Sequence, residues 1–330
     1  MTKLSVFVTR NLPGEATDVL RPHFDVGMWP DADNPIPRDA LLREASQADA
    51  LLCLLTEKVD RELLAAAPRL RIVANMAVGF DNVDVAACTE RGVVVTNTPG
   101  VLTESTADLA FALLLAAARR LPEAMRVVAE DRWRAWSPMF LTGQDVHGST
   151  LGIVGLGRIG EAVARRARGF GMRILYYSRS RSEDAEARTG AEYRDLDSLL
   201  RESDFVSVHL PLTKETFHLI GERELGLMKP TAVLVNTARG PVVDEAALYR
   251  ALAERKIWAA GLDVFEREPL PMDSPLRGLD NVVLLPHIGS ASVATRTRMA
   301  SLAAENIREY LLRGRAVTPV NQVGLSENSR

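Results

Sequence analysis

Four residues of chemically useful type sit in three short loops of the carboxyl-terminal half. They are Arg239 in NTARGPVVDE, Asp263 and Glu268 in DVFEREP, and His287 in PHIGSAS. A histidine exchanges a proton near neutral pH. A carboxylate beside it favours the imidazolium form. An arginine grips a carboxylate in a two-pronged fork. Together these types suit proton transfer to a small molecule held by its carboxylate. Taken singly, each has an ordinary alternative. A lone arginine is usually a surface charge, Glu266 or Glu268 suits a solvated loop, and His287 after a proline suits a loop cap. Position is what separates the four from that background. Each lies at or just beyond the end of an apolar run that reads as a strand: Ala232 to Asn236, Gly261 to Phe265, or Val282 to Leu285. Ligands of open α/β sheets bind beyond the carboxyl ends of the strands.

The element that must position them is LGIVGLGRIG, Leu151 to Gly160. It reads as a strand, a tight turn and a helix start, with Gly155, Gly157 and Gly160 at G-x-G-x-x-G spacing. Gly155 permits the turn, Gly157 admits a pyrophosphate close to the backbone, and Gly160 lets the helix pack on the strand. The turn, with Leu156, Arg158 and Ile159, exposes N–H groups at a helix start, where the dipole also favours phosphate. The helical pattern EAVARRARGFG and a second strand, Arg173 to Ser178, follow in the expected places. A dinucleotide site is the reading, against a structural turn of similar spelling. An NAD site usually has Asp or Glu at the end of that second strand, for the ribose 2′-hydroxyl. Here the position is Ser178, followed by Arg179, Ser180 and Arg181, with no carboxylate before Glu183. Serine leaves room for a 2′-phosphate and an arginine after it can pair with one. NADP(H) is therefore favoured over NAD(H), although Arg179 and Arg181 also suit solvated loop charges.

The rest of the chain supplies the frame. Its 330 residues allow two domains. Forty basic and 43 acidic residues give a net charge of −3, with no dominant basic field for nucleic acid. Cys53 and Cys88 form neither a metal-type cluster nor a disulfide framework, which points to a reducing, cytoplasmic compartment and no metal site. The longest nearly uncharged stretch, Leu109 to Ala118, is too short to span a bilayer. Leu4 to Thr9, Ala50 to Leu55, Arg71 to Met76 and Val93 to Thr96 read as strands of a first α/β domain, with a helix from Pro13 to about Arg21. The loop AVGFDNVD, Ala77 to Asp84, is balanced between a connecting turn and a ligand loop. The helix ADLAFALLLAAARR is apolar nearly all round, which requires burial on more than one side, between domains or between subunits. Trp133, Trp136 and Phe140 follow in an irregular segment and suit a core or the rim of a pocket. Strands alternating with helices throughout predict two doubly wound parallel sheets, with the Rossmann-type domain (100–287) inserted into a flavodoxin-like one (1–99 and 288–330). The last helix, Val293 to Arg313, returns to the first domain, a hinge arrangement.

GLGRIG, NTARG with Asp244 after it, DVFEREP and LLPHIGS, in this order and spacing, resemble the D-2-hydroxyacid dehydrogenases. With AVGFDN upstream, the resemblance covers nearly the whole chain. VLTESTADLAFALLLAAARR and YYSRSRS look most like the glyoxylate reductases, also called glyoxylate/hydroxypyruvate reductases. The resemblance implies that Arg239 holds a substrate carboxylate, that Glu268 partners a catalytic His287, and that Val78 and Gly79 offer backbone N–H groups to the carboxylate. It also implies that Asp263 faces the nicotinamide carboxamide, with Thr237, Ala238, Arg239, His287 and Gly289 lining the cofactor. His23, His147, His209 and His218 have no such match and read as structural.

Three functions fit this reading. The first is reduction of glyoxylate or hydroxypyruvate. The second is a related dehydrogenation of another acid, such as 2-ketogluconate, phosphoglycerate or a bulkier 2-oxo acid. The third is nucleotide sensing, as in the resembling corepressors, since a fold alone does not settle function. The resemblance also implies a homodimer that uses the apolar helix after Thr106. No membrane or nucleic-acid partner is expected. Some resembling glyoxylate reductases use NADH, so use of both nucleotides is open.

Overall fold

The structure is a computed structural model and describes residues 3–323. It divides into two compact units. One runs to Leu102 and resumes at Ala291, and the other is Thr103–Ser290.

The first unit holds five parallel strands, β1 (Ser5–Val8), β2 (Asp25–Met28), β3 (Ala50–Cys53), β4 (Ile72–Asn75) and β5 (Val94–Thr96). Their order, β2-β1-β3-β4-β5, is the flavodoxin-like one. β3, β4 and β5 are buried throughout. That is why they read as unbroken apolar runs rather than as alternation. The helices are α1 (Gly14–Thr17), α2 (Arg38–Ala45), α3 (Arg61–Ala66), α4 (Val85–Glu90) and, from the far end of the chain, α12 (Val293–Arg313). α12 packs on α1, β3 and β4, and it buries Met299, Ala300, Ala303, Ala304 and Ile307.

Two features depart from the sequence reading. α1 stops at Thr17 instead of near Arg21, and i→i+3 turns follow, Leu20 N to Thr17 O and His23 N to Leu20 O. Pro22 disfavours helical geometry at Arg21. β2 was not anticipated, because DVGM is half exposed at a sheet edge. Gly27 also removes one side chain from it, and a Cβ there would lie 3.1 Å from Phe7 Cδ2.

The second unit holds seven parallel strands, β6 (Thr150–Val154), β7 (Arg173–Tyr177), β8 (Glu192–Tyr193), β9 (Phe205–Val208), β10 (Val233–Asn236), β11 (Ala259–Leu262) and β12 (Val282–Leu284). The order β12-β11-β10-β9-β6-β7-β8 is the Rossmann order with a seventh strand added. Chain direction across the sheet reverses between β6 and β9, so the switch point lies just past Val154. The helices are α5 (Thr103–Ala118), α6 (Leu121–Ala129), α7 (Arg158–Gly169), α8 (Glu183–Thr189), α9 (Leu196–Glu202), α10 (Glu222–Leu227) and α11 (Glu245–Ala253).

α5 is the helix that is apolar nearly all round. It packs on α7, β10 and β11 and buries Phe111, Leu113 and Leu114 in a core shared with Ile153, Phe205 and Val235. Much of its apolar surface is therefore used inside its own unit. The aromatics after it are not core. Trp133, Trp136 and Phe140 are 58%, 81% and 48% exposed, because residues 130–149 form no helix or strand that would give them a layer to pack into. Among the described residues no helix is long and apolar enough to cross a membrane.

Candidate active site

The glycine turn comes first, at the end of β6. Gly155 has φ +104°, and a Cβ on it would lie 2.8 Å from the backbone oxygen of His209. Both constraints exclude a side chain. A Cβ on Gly160 would lie 2.3 Å from the backbone oxygen of Gly155. A Cβ on Gly157 would meet nothing within 4 Å, so its smallness leaves open space above the turn. The first bond of α7 runs from Glu161 N to Gly157 O. The N–H groups of residues 157–160 therefore have no partner within the helix and are available to an anion. This cradle fits a dinucleotide pyrophosphate. Ser178, just past β7, accepts a 3.0 Å hydrogen bond from Leu156 N, which ties the second strand's end to the turn.

Three neighbouring strand ends carry the candidate residues. Past β10, Asn236 folds the turn around itself: its Nδ2 donates to Arg239 O at 2.9 Å, and its Oδ1 accepts from Ala238 N at 3.0 Å. Arg239 Nη1 donates to Ala238 O at 2.8 Å. β11 ends at Leu262, earlier than the Phe265 of the sequence reading, so Asp263 is the first residue beyond it. Asp263 is 1% exposed. Its carboxylate accepts from Ile288 N and Gly289 N, both at 2.7 Å, and its backbone oxygen accepts from His287 N at 2.9 Å. It thus holds the loop that presents His287, whose φ is +54°. Burial pushes the Asp263 carboxyl up, and the two N–H groups and the nearby His287 only partly offset this. Glu268 Oε2 lies 2.7 Å from His287 Nδ1, and its Oε1 accepts from Phe265 N at 3.1 Å.

Residues 111–289 match the family model described as D-isomer specific 2-hydroxyacid dehydrogenase, NAD binding domain. A glyoxylate reductase of Korarchaeum cryptofilum is 58% identical over 306 residues, 92% of each chain. This chain belongs to the D-isomer specific 2-hydroxyacid dehydrogenase family. Solved structures agree. A protein of Thermus thermophilus superposes with TM-score 0.90 at 45% identity, covering 96% of this chain and all of that one. An NADPH-dependent glyoxylate/hydroxypyruvate reductase of Sinorhizobium meliloti, crystallised with NADP and malonate, has TM-score 0.83 at 37% identity, covering 97% of each.

In this dehydrogenase the state of the Glu268 carboxyl is set by its neighbours. Burial pushes the Glu268 carboxyl up. The hydrogen bond and charge of His287 outweigh that and hold it below the usual carboxylate range. Glu268 is then an anion at neutral pH and an acceptor only, so the proton of this hydrogen bond sits on Nδ1. Nε2 is the ring nitrogen left to serve a ligand. Glu268→Gln removes the charge but keeps an acceptor. Loss of the anion that holds the ring should lower kcat/KM for a 2-oxo acid by about tenfold or more, checked by steady-state rates beside the parent. An unchanged kcat/KM would show that Glu268 does not act through His287.

Other residues fall in less expected settings. Val78 and Gly79 follow β4 in the first unit. Their carbonyls are held by Asn97 Nδ2 at 2.8 Å and Asn75 Nδ2 at 3.0 Å. Asn75 and Asn97 were missed in the sequence, where the only signal is an amide side chain at or just past a strand end. Thr237 is buried, and its hydroxyl has no hydrogen-bond partner among the described residues. Arg181 is drawn away by Glu186, with Nε and Nη2 contacts of 2.8 and 2.9 Å. Arg181, and then Tyr176, hold the Glu186 carboxyl down at about 2. Arg179 and Ser180 are exposed, and Arg179 makes no hydrogen bond or ion pair among the described residues.

Proposed function

We propose that this dehydrogenase reduces a small 2-oxo acid, glyoxylate or hydroxypyruvate, to the 2-hydroxy acid. The observation that carries this is the 2.7 Å His287–Glu268 pair, at the strand ends where a dinucleotide's working end belongs. The names of the similar reductases support it. The residues that would hold the nicotinamide nucleotide are Gly155 to Gly160, Ser178 to Ser180, Thr237, Ala238, Asp263 and Gly289. When bound, it supplies the hydride. Arg239 fixes the substrate carboxylate through its guanidinium fork. His287 gives its Nε2 proton to the carbonyl oxygen, and Glu268 holds the ring by its Nδ1. The N–H groups of Val78 and Gly79 suit an anionic group as well.

The test is an initial-rate panel of 2-oxo acids. Glyoxylate and hydroxypyruvate should exceed branched acids in kcat/KM. The motif loops bring no additional basic cluster suited to a substrate phosphate. A preference for 2-oxoisocaproate or 3-phosphohydroxypyruvate would overturn the reading.

The favoured cofactor is NADP(H). Ser178 brings no carboxylate to repel a 2′-phosphate, and Arg179 is an exposed cation next to it, while Arg181 is engaged by Glu186. A charge-assisted hydrogen bond is worth ~1.5–3 kcal/mol. Arg179→Ala should therefore weaken NADPH use at least about tenfold and spare NADH. Equal losses with both nucleotides would exclude a 2′-phosphate contact. The homodimer is also a proposal. The exposed apolar side chains Leu121, Met125, Val128, Trp133, Trp136 and Met139 suit its interface better than α5 does, and light scattering at twice the chain mass is the expected result.

A further inference from the structure

Outside the His287–Glu268 pair, one side-chain cluster ties together the loops that leave β9, β10 and β11. His218, in the β9 loop, has its Nε2 2.9 Å from Glu266 Oε1 in the β11 loop. Its Nδ1 lies 3.9 Å from Oδ2 of Asp244, in the β10 loop. Asp244 Oδ1 is already used to cap α11, accepting from Ala247 N at 2.9 Å. Glu266 is clamped from a second side. Its Oε1 accepts from Glu245 N at 3.0 Å, and its own N–H donates to Glu245 Oε2 at 3.2 Å. The backbone repeats the connection, with His218 N to Pro241 O at 2.8 Å and Ile220 N to Val242 O at 3.1 Å. The His218 ring stacks on Phe217, with centroids 4.0 Å apart.

The position of Glu266 matters because of what adjoins it. Two residues on is Glu268, whose Oε1 is fixed by Phe265 N in the same short loop. On the other side, the Phe265–Glu266 peptide lies directly against Gly240, next to Arg239. A shift of Glu266 therefore displaces the partner of the acid and crowds the loop of the carboxylate-binding arginine at once.

We infer that His218 is a positioning residue: through Glu266 it sets the register of Glu268 against His287 and of Arg239 beside them. This rests on the proton-transfer role proposed for the His287–Glu268 pair. Burial on one side would make His218 a packing residue instead, and two substitutions separate the readings with opposite signs. His218→Phe keeps the ring and its stacking but loses both nitrogens. His218→Gln loses the stack but keeps a donor that reaches Glu266. Misplacement of a reacting group by about 1 Å costs on the order of 10²-fold.

The expected result, with glyoxylate and reduced nucleotide on the full chain, is a kcat about ten- to a hundredfold lower in His218→Phe. The nucleotide KM should be unchanged, and kcat/KM for glyoxylate should fall as in Glu268→Gln. His218→Gln should stay within about threefold of the parent. Retained turnover in His218→Phe, or a loss in His218→Gln instead, overturns the inference. So does a loss of nucleotide affinity matching the loss of kcat. His218, Asp244 and Glu266 also bring three metal-capable atoms within 4.8 Å of one another. A loss of activity on EDTA dialysis, reversed by a divalent ion, would assign the cluster to a cation and likewise overturn it. His287→Ala is the control. If it keeps full turnover, the proposed pair fails. If it is inactive while His218→Phe is active, only the positioning role fails.

Discussion

His287→Ala is expected to lower the rate of 2-oxo acid reduction by about 10²–10⁴, the range for loss of a general acid. Nucleotide affinity should change little, because the phosphate cradle of residues 155–160 is built by β6 and α7, not by the His287 loop. Folding should also survive. His287 is half exposed, and the loop's ties to Asp263 use the backbone N–H groups of His287, Ile288 and Gly289, which alanine retains. The measurement is steady-state turnover with glyoxylate beside nucleotide binding by fluorescence quenching. Near-wild-type turnover would remove His287 from the chemistry. A loss of nucleotide binding equal to the loss of turnover would make it a cofactor residue instead.

Gly240→Ala is expected to be the most damaging single methyl group in the seven-stranded unit. Its Cβ would lie 1.8 Å from the carbonyl carbon of Phe265, 2.0 Å from the oxygen and 2.4 Å from Glu266 N. All three are backbone atoms, so no side-chain rotation relieves the overlap. Either the Arg239 loop or the Glu268 loop must move. Overpacking of this kind costs ~1–3 kcal/mol and occasionally more. For a unit of this size each kcal/mol lowers Tm by roughly 2–4 °C. Turnover should fall by about 10²-fold even in the folded fraction, because Arg239 and Glu268 lose their relative placement. Thermal melting and turnover together check it. A variant with parental Tm and parental kcat would mean that the two loops do not pack as described.

The sequence by itself determined the features whose cause is local. Gly155 and Gly160 are legible because positive φ at the first and close backbone approach at both leave few other residue types, and Gly157 because its missing side chain leaves open space above the turn. β3, β4, β9 and β10 are legible because a strand covered on both faces must be largely apolar. The order of motifs was enough to imply the family, and it nominates Arg239, Glu268 and His287 as candidates. The tertiary structure decided what depends on residues far apart in the chain. His287 and Glu268 are 19 positions apart, and only the parallel pairing of β11 with β12 brings their loops together. Asp263 turned out to hold the His287 loop by its N–H groups, a role with no signature in DVFEREP. Arg179 and Arg181 look equivalent in the sequence, yet Glu186, one helical turn into α8, engages only Arg181. Gly240 carries no positive φ, and its need for glycine comes wholly from the Phe265 carbonyl of the neighbouring strand's loop. His218 read as structural because its partners, Asp244 and Glu266, come from two other strand ends. Periodicity and spacing record what a segment requires of itself, whereas a contact across a parallel sheet is set by strand order, which neither segment encodes alone.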